Sequence, residues 1–353
     1  MPLSKEEINY YNRQLKLDSF DLKLQEKLKN SVVSIVGLGG LGCPVAETLT
    51  ASGVGTINLI DFDLVEALNL HRQTLYGVKD LGRNKVEAAK ERLSERNPYC
   101  TLESRNQIIS TSNALELLKN SDLVIDASDN ADTRLIVSDA CYELNIPCIS
   151  GALFAWEAHL YHFEHGEQGL SYRDLFPEGA LNANNLSCAD TGVLNSLCSI
   201  LGAQMARLAF LELIEAEHRA TNGFEHYDYL TNRWTHFKAD VNPKNPQRNN
   251  SKSVNYTISP RDLENLRVDQ KLELVDVRDP DEFITFNLGG INIPLDQLDE
   301  NRERIVNLNK VVFVCEPGIR SATALNWAKE QTPNTEVYHL LLGIQALKKV
   351  SNV

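Results

Sequence analysis

Ser31-Val32-Val33-Ser34-Ile35-Val36 runs directly into Gly37-Leu38-Gly39-Gly40-Leu41-Gly42, and a second apolar run, Thr56–Ile60, ends at Asp61-Phe62-Asp63. A mostly apolar run that stops at closely spaced glycines reads as a buried strand entering a tight turn. Pro44 to Ser52 then reads as a helix, so the chain opens a βαβ unit. Small residues let the backbone approach a phosphate, and the helix N-terminus offers free N–H groups and positive partial charge. Gly37, Gly39, Gly40 and Gly42 are therefore the candidate cradle. Asp61 suits a ribose hydroxyl. On these residues alone, NAD(P) and ATP are served equally well.

Outward from this unit, residues 5 to 30 read as helical. Lys85 to Arg96 reads as an amphipathic helix closed by Asn97-Pro98. Leu123–Asp126 and Pro147–Ser150 read as buried strands with Thr133–Leu144 helical between them. Strands alternating with helices predict a parallel doubly wound sheet. Ala152–Phe163 has a strand-like pattern, Ser171–Ser187 reads as a loop, and Thr191–Ala216 as a long apolar helix. Asp240–Ser253, rich in Asn and Pro, reads as a linker. A second, small α/β unit follows, with strands at Leu272–Val277 and Val311–Val314 and a helix at Ser321–Glu330.

That second unit holds Cys315-Glu316-Pro317-Gly318-Ile319-Arg320-Ser321. Cys315 ends a strand and opens a tight loop into a helix, where backbone N–H groups and the helix N-terminus favour a thiolate or persulfide. Arg320 is expected to orient the loop through carboxylates such as Asp276.

Further residues separate the two nucleotide readings. Ala67-Leu68-Asn69-Leu70-His71-Arg72-Gln73 and Gly82-Arg83-Asn84-Lys85 follow Asp63, and Asp126-Ala127-Ser128-Asp129-Asn130 comes later, with Thr133 and Arg134. Arg72 and Lys85 are able to neutralise phosphates, and Asp129 to hold a hard divalent ion. Hydride transfer does not need that set.

In this order the residues closely resemble the MoeB/ThiF family, relatives of ubiquitin-activating enzymes, over roughly residues 8 to 240. The resemblance includes Asn12-Arg13-Gln14 and Ser187-Cys188-Ala189-Asp190-Thr191-Gly192. The C-terminal region resembles a single rhodanese domain, which makes the whole similar to the MoeB-rhodanese type. The resemblance implies an α/β fold: a doubly wound mixed sheet with a Rossmann-like nucleotide-binding core in residues 1–240, a linker at 241–255 and a small rhodanese domain in 256–353. It implies ATP-dependent adenylation of the C-terminal glycine of a ubiquitin-like sulfur carrier (MoaD/ThiS-like). Sulfur transfer from a Cys315 persulfide then gives a thiocarboxylate for molybdopterin, thiamine or thiolated tRNA. By the match, Asp61, with Asp63 behind it, holds the ribose. Asn69, Arg72 and Lys85 contact the phosphates, and Asp129, beside Asn130, binds Mg²⁺. Arg13 acts on the partner subunit's nucleotide in a homodimer. Cys188 resolves an acyl-disulfide intermediate. Glu316, Pro317, Gly318, Ile319 and Arg320 complete the persulfide loop, and a cysteine desulfurase is the kind of donor expected.

The sequence departs from the family at the zinc cysteines and at Asn287, and Glu316 gives a further clue. Structural zinc in the family uses two CxxC pairs, and here Ser171 and Asp174 stand at the first pair while Asn245-Pro246-Gln247-Arg248 has no cysteine. No structural zinc is expected, and packing or hydrogen bonds must hold that segment. Asn287 stands where many relatives have His. Glu316, an acid beside the sulfur, disfavours an anionic donor such as thiosulfate and points to a protein persulfide.

Composition bounds the rest. The 353 residues are 42% hydrophobic and 24% charged, with net charge −13. That balance argues against broad binding to nucleic acid or anionic membrane. The seven scattered cysteines form no CxxC pair, which fits a reducing cytoplasm. No membrane-spanning helix is expected, and the polar start does not read as a signal peptide. The rival readings are an adenylating enzyme for another peptide or ubiquitin-like modifier, a nucleotide-binding module without turnover and, more remotely, an NAD dehydrogenase.

Overall fold

A computed structural model describes residues 1–164, 169–176, 192–216, 223–239, 256–267, 272–316, 318–332, 335–344 and 347. The chain divides into two compact units. The first runs from Met1 to Ser251 apart from Ser110–Ser112, which join Lys252–Val353 in the second.

In the first unit, strands β1 (Val32–Val36), β2 (Thr56–Ile60), β3 (Thr101–Arg105), β4 (Leu123–Asp126), β5 (Cys148–Phe154), β6 (Glu157–Phe163), β7 (Gly223–Asp228) and β8 (Arg233–Lys238) form one sheet. Their order is β3-β2-β1-β4-β5-β6-β7-β8. Pairings from β3 across to β5 are parallel, and those from β5 to β8 are antiparallel. The sheet is therefore mixed, as the family resemblance implies, and the parallel part read from strand–helix alternation is β1 to β5. β1 is an almost unbroken apolar run because both of its faces are buried: Val33 and Ile35 on one and Ser34 and Val36 on the other are at most 3% exposed, and Ile57 and Leu59 on β2 are fully buried. Each such side chain contributes roughly 1.5–3 kcal/mol by leaving water.

The order reverses between β1 and β4. Chain leaving β1 turns toward β2, and chain leaving β4 turns the other way, so a crevice opens at their C-terminal ends. Both the glycine stretch and Ala127–Asn130 leave the sheet there.

The stretch from 5 to 30 is not one helix but two, Lys5–Tyr10 and Leu22–Asn30. Ser19 takes a φ of 66° between them. Asp21 caps the second helix, accepting the Leu24 N–H at 3.1 Å. Ala152–Phe163 is the end of β5 and all of β6, reversed at Ala155 with φ 52°. Tyr172–Leu175 is a short helix within the segment predicted as loop, and 177–191 lie outside the described residues, as does the predicted linker from 240 onward. The apolar helix is Asn195–Leu213. It is long and apolar enough to cross a membrane, yet Leu197, Leu201, Met205 and Leu208 are buried in the core with β1 and β2 residues.

In the second unit, β9 (Thr257–Ile258), β10 (Leu272–Asp276), β11 (Ile291–Asn292), β12 (Lys310–Val314) and β13 (Glu336–Leu340) form a parallel sheet ordered β11-β10-β12-β13-β9. Val311, Phe313 and Cys315 pack on one core, and Val312 and Val314 on another, as period-2 alternation along a central strand requires. The helix Ile319–Gln331 follows β12.

Candidate functional site

The glycine loop is fixed by close backbone approach. Gly37 has φ 88°, and a Cβ there would sit 2.8 Å from the Ala127 carbonyl oxygen. A Cβ on Gly42 would overlap the Gly37 carbonyl oxygen. The loop after β1 thus presses against the loop after β4, leaving backbone rather than side chains at the crevice. Gly40 lies over Cys198 and beside Arg72, whose Cδ is 3.5 Å from an ideal Cβ at that glycine. Gln73 Nε2 lies 3.8 Å from the same point on Gly39.

Asp61 locks this loop to the end of β2. Its carboxylate accepts the Leu38 N–H at 2.7 Å and the Asp63 N–H at 2.8 Å. Tyr76 adds a bond from its hydroxyl to the Leu38 carbonyl at 3.1 Å. Burial raises the Asp61 carboxyl above its ordinary value, against the opposing charge of Lys85. Lys85 opens the helix Lys85–Arg96 and reaches Asp63 Oδ2 at 3.0 Å. Burial pulls its ammonium down, but Asp61 and Asp63 more than offset this and hold it above the ordinary lysine value. A buried, charged lysine lies beside the loop that the glycines shape. Asn69 ends a single 3-10 turn, Ala67–Asn69, which places Arg72 and Gln73 on the following turn.

After β4, the loop is built on Asp126, which is 2% exposed. It accepts the Ser128 N–H and hydroxyl at 3.1 and 2.6 Å and the Ser150 hydroxyl at 2.7 Å. Arg134 ties the loop down by donating to the Ser128 carbonyl at 2.8 Å. With Asp126 spent on this scaffold, Asp129 is the carboxylate left exposed. Asn130 caps the helix Ala131–Leu144 by accepting the Thr133 N–H at 2.9 Å, which places its side chain in a structural bond.

The structure brings together Gly37, Gly39, Gly40, Gly42, Asp61, Asp63, Arg72 and Lys85, with Asp129 and Asn130 on the adjoining loop. Arg13 is not among them: it is exposed on the turns after Lys5–Tyr10 and makes no ion pair among the described residues. Cys188 lies outside the described residues. Three contributors had no assigned role in the sequence. Tyr76 and Cys198 carry no local signal. Gln73 stands within the Asn69–Gln73 run; it is 3% exposed, and its Oε1 has no hydrogen-bond partner among the described residues. That orphaned acceptor, the backbone cradle and the buried Lys85 fit a bound nucleotide. Asp129 presents an exposed carboxylate, the class of oxygen donor that suits a hard divalent ion.

The segment where the first zinc pair was expected is held by other bonds. Asp174 Oδ2 accepts the Ser171 N–H and hydroxyl at 2.8 and 2.9 Å. Arg173 pairs with both oxygens of Asp139 at 2.7 Å. Tyr172 and Phe176 pack on Tyr161.

In the second unit Cys315 follows β12 and is fully buried. Its Sγ accepts the Ser321 N–H at 3.3 Å, and Ser321 Oγ lies 3.5 Å from it. Gly343, at φ 64°, is forced by the same loop, since a Cβ there would overlap the carbonyl oxygens of Cys315 and Glu316. Gly318, at φ 90°, caps the helix Ile319–Gln331 and Arg320 lies on its first turn, whereas Pro317 and the Ile319 side chain lie outside the described residues. The expected Arg320–Asp276 contact is not formed. Arg320 instead pairs with Glu282 through both nitrogens at 2.7 Å, because it sits on the first helical turn and faces the helix Pro280–Thr285. Buried Asp276 is held by Arg278, two residues on, at 2.7 and 3.0 Å. Arg278 Nη1 also reaches Glu316 at 3.0 Å. Asn287 donates to the Phe283 carbonyl at 2.9 Å. Among the other described cysteines, burial pushes the thiols of Cys43 and Cys100 up to about 12, as expected of packing residues.

The model of the ThiF family matches residues 11–250, and that of the rhodanese-like domain matches residues 259–349. The chain is 32% identical over 372 residues to the "Probable adenylyltransferase/sulfurtransferase MoeZ" of Mycobacterium tuberculosis, covering 98% of this chain and 94% of that one. It is 41% identical over 204 residues to the "Adenylyltransferase and sulfurtransferase MOCS3" of Drosophila virilis, covering 58% of this chain and 45% of that one. The crystal structure of E. coli MccB with ATP superposes with a TM-score of 0.59 at 22% identity, covering 69% of this chain and 74% of MccB, which is a likeness of fold. With family match and whole-length likeness both in place, the chain belongs to the ThiF family and carries a C-terminal rhodanese-like domain.

Proposed function

We propose that the chain adenylates the C-terminal glycine of a ubiquitin-like, MoaD/ThiS-like sulfur carrier with ATP, then converts the activated carboxyl to a thiocarboxylate with sulfur from Cys315. It is thus an adenylyltransferase and a sulfurtransferase in one. The observation that carries this reading is the pairing, in one chain, of a cation-lined backbone cradle with a cysteine whose sulfur accepts a helix N-terminal N–H. Residues 1–240 perform the first step and 256–353 the second, joined by 241–255.

In the first step, the carrier carboxylate attacks the α-phosphorus and pyrophosphate leaves. Asp61 orients the ribose. Arg72, Lys85 and Asn69 meet the phosphates, where fixed charge counters what develops as pyrophosphate departs. Asp129 would hold Mg²⁺, which when bound would supply further positive charge at the phosphates. Arg13, exposed and unpaired within the described part of its own chain, serves the partner subunit's nucleotide in a homodimer. In the second step, the terminal sulfur of the Cys315 persulfide attacks the acyl carbon and AMP leaves, giving an acyl disulfide. Attack by the Cys188 thiolate on the Cys315 sulfur releases the thiocarboxylate and leaves a cysteine disulfide, which an external thiol reduces.

Two carboxylates, Asp276 and Glu316, share the one guanidinium of Arg278 near the sulfur. That balance supports a protein persulfide, such as one on a cysteine desulfurase, over an anionic small donor. The reading places the protein in the cytoplasm, without the family's cysteine-held structural zinc, in molybdopterin, thiamine or thiolated-tRNA synthesis. ATP–pyrophosphate exchange by the full chain tests the first step. Exchange should appear only with a MoaD/ThiS-like carrier and fall about a hundredfold in Asp129→Ala. Full exchange by that variant would overturn the metal assignment.

A further inference from the structure

One face of the antiparallel part of the first sheet carries a constellation that adenylation does not use. On β6 and β7, His159 stands directly opposite His226, and Glu157 opposite Asp228. Glu157 and His159 are two residues apart on β6, so they project from the same face. His226 Nε2 lies 3.3 Å from Glu157 Oε2, and the two imidazole rings are 5.2 Å apart. One donor atom from each of the three lies within 4.8 Å of the other two.

We propose that Glu157, His159 and His226 form a site for a divalent transition metal of the zinc class. Two imidazoles and one carboxylate supply three ligands, and water completes the coordination. A simple His226–Glu157 ion pair needs one imidazole only. The second, His159, converges on the same point and makes ring contacts there, but no hydrogen bond among the described residues. Two nitrogen donors select against Mg²⁺ and Ca²⁺, which take oxygen ligands, so this ion is distinct from the nucleotide's metal. The site contains no sulfur and is unrelated to a cysteine zinc site. Glu157 is half exposed and His226 a quarter exposed, which leaves a route for entry and exchange. A bound ion ties β6 to β7 and exchanges without unfolding the chain.

The test is titration of chelator-treated full-length protein with Co²⁺, without nucleotide, followed by visible absorption. One equivalent should bind with a ligand-field band that lacks thiolate charge transfer and persists in excess Mg²⁺. Zn²⁺ should displace it. His226→Gln and Glu157→Gln should each weaken binding by about tenfold or more. Glu157 is exposed enough that its variant retains the fold if His226→Gln does not. Thermal melting should rise with added Zn²⁺ in wild type and not in Glu157→Gln. Absence of a Co²⁺ band at one equivalent, a thiolate band, displacement by Mg²⁺, or wild-type affinity in Glu157→Gln would overturn the proposal.

Discussion

Arg278 and Glu316 are joined at 3.0 Å, so the residue immediately after Cys315 is tied to the end of β10. The Gly343 turn and the Ser321 N–H add further restraints on the same loop.

Removing the arginine strands a carboxylate. Asp276 is fully buried and Arg278 is 2% exposed. Arg278→Met should therefore destabilise the rhodanese unit by about 3–5 kcal/mol, since it leaves a buried charge without its partner. Urea unfolding of the full chain would measure it. A loss under about 1 kcal/mol would mean that Asp276 finds another partner.

Removing the acid should act on donor choice instead. Glu316→Gln keeps the shape of the loop but deletes a negative charge beside the sulfur. Sulfur transfer from thiosulfate should rise relative to transfer from a protein persulfide, as measured by the ratio of the two rates. An unchanged ratio would remove Glu316 from donor selection.

The Arg320–Glu282 pair gives a pH signature. Its hydrogen bonds with Arg320 hold the Glu282 carboxyl down at about 2, against an ordinary value of 4.5. A group with a depressed folded value stabilises above its unfolded value and loses that contribution as pH falls through the folded one. The stability difference between wild type and Glu282→Gln should be full above about pH 5 and shrink steadily toward pH 2. Denaturation midpoints at stepped pH check this, and a difference independent of pH would contradict it.

Lys85 governs the other unit. Its charge opposes the rise in the Asp61 carboxyl, so Lys85→Met should raise that carboxyl further. If Asp61 acts ionised, the acid limb of pyrophosphate exchange should move to higher pH, and the maximal rate should drop by about tenfold or more. A lower rate with an unmoved limb would separate Lys85 from Asp61.

Much of this was legible in the residues. The apolar run ending at Gly37 located β1, its loop and the crevice, since backbone approach to a phosphate demands small residues in that place. The ends of β2 and β4 followed from the same strand–helix rhythm. The antiparallel strands β7 and β8 were not legible, because β8 lies at the sheet edge and mixes exposed and half-buried positions without clean alternation. The partner of Arg320 is not legible in the residues, because Asp276 and Glu282 are equally acidic in sequence; only the fold shows that Arg278 curls back on the first and a helical turn carries Arg320 to the second. Gln73 carries no sign of its role in the sequence, since an orphaned acceptor exists only once the surrounding core has closed.

The most direct test of the account is the mass of a MoaD/ThiS-like carrier after incubation with full-length protein, ATP, Mg²⁺ and a protein persulfide, without free sulfide. Wild type should replace one carboxyl oxygen of the carrier with sulfur. Cys315→Ser should leave pyrophosphate exchange intact and yield no thiocarboxylate, because an alcohol carries no transferable sulfur. Cys188→Ser should keep exchange and lower the yield. Normal thiocarboxylate from Cys315→Ser would contradict the account and take the rhodanese domain out of the reaction.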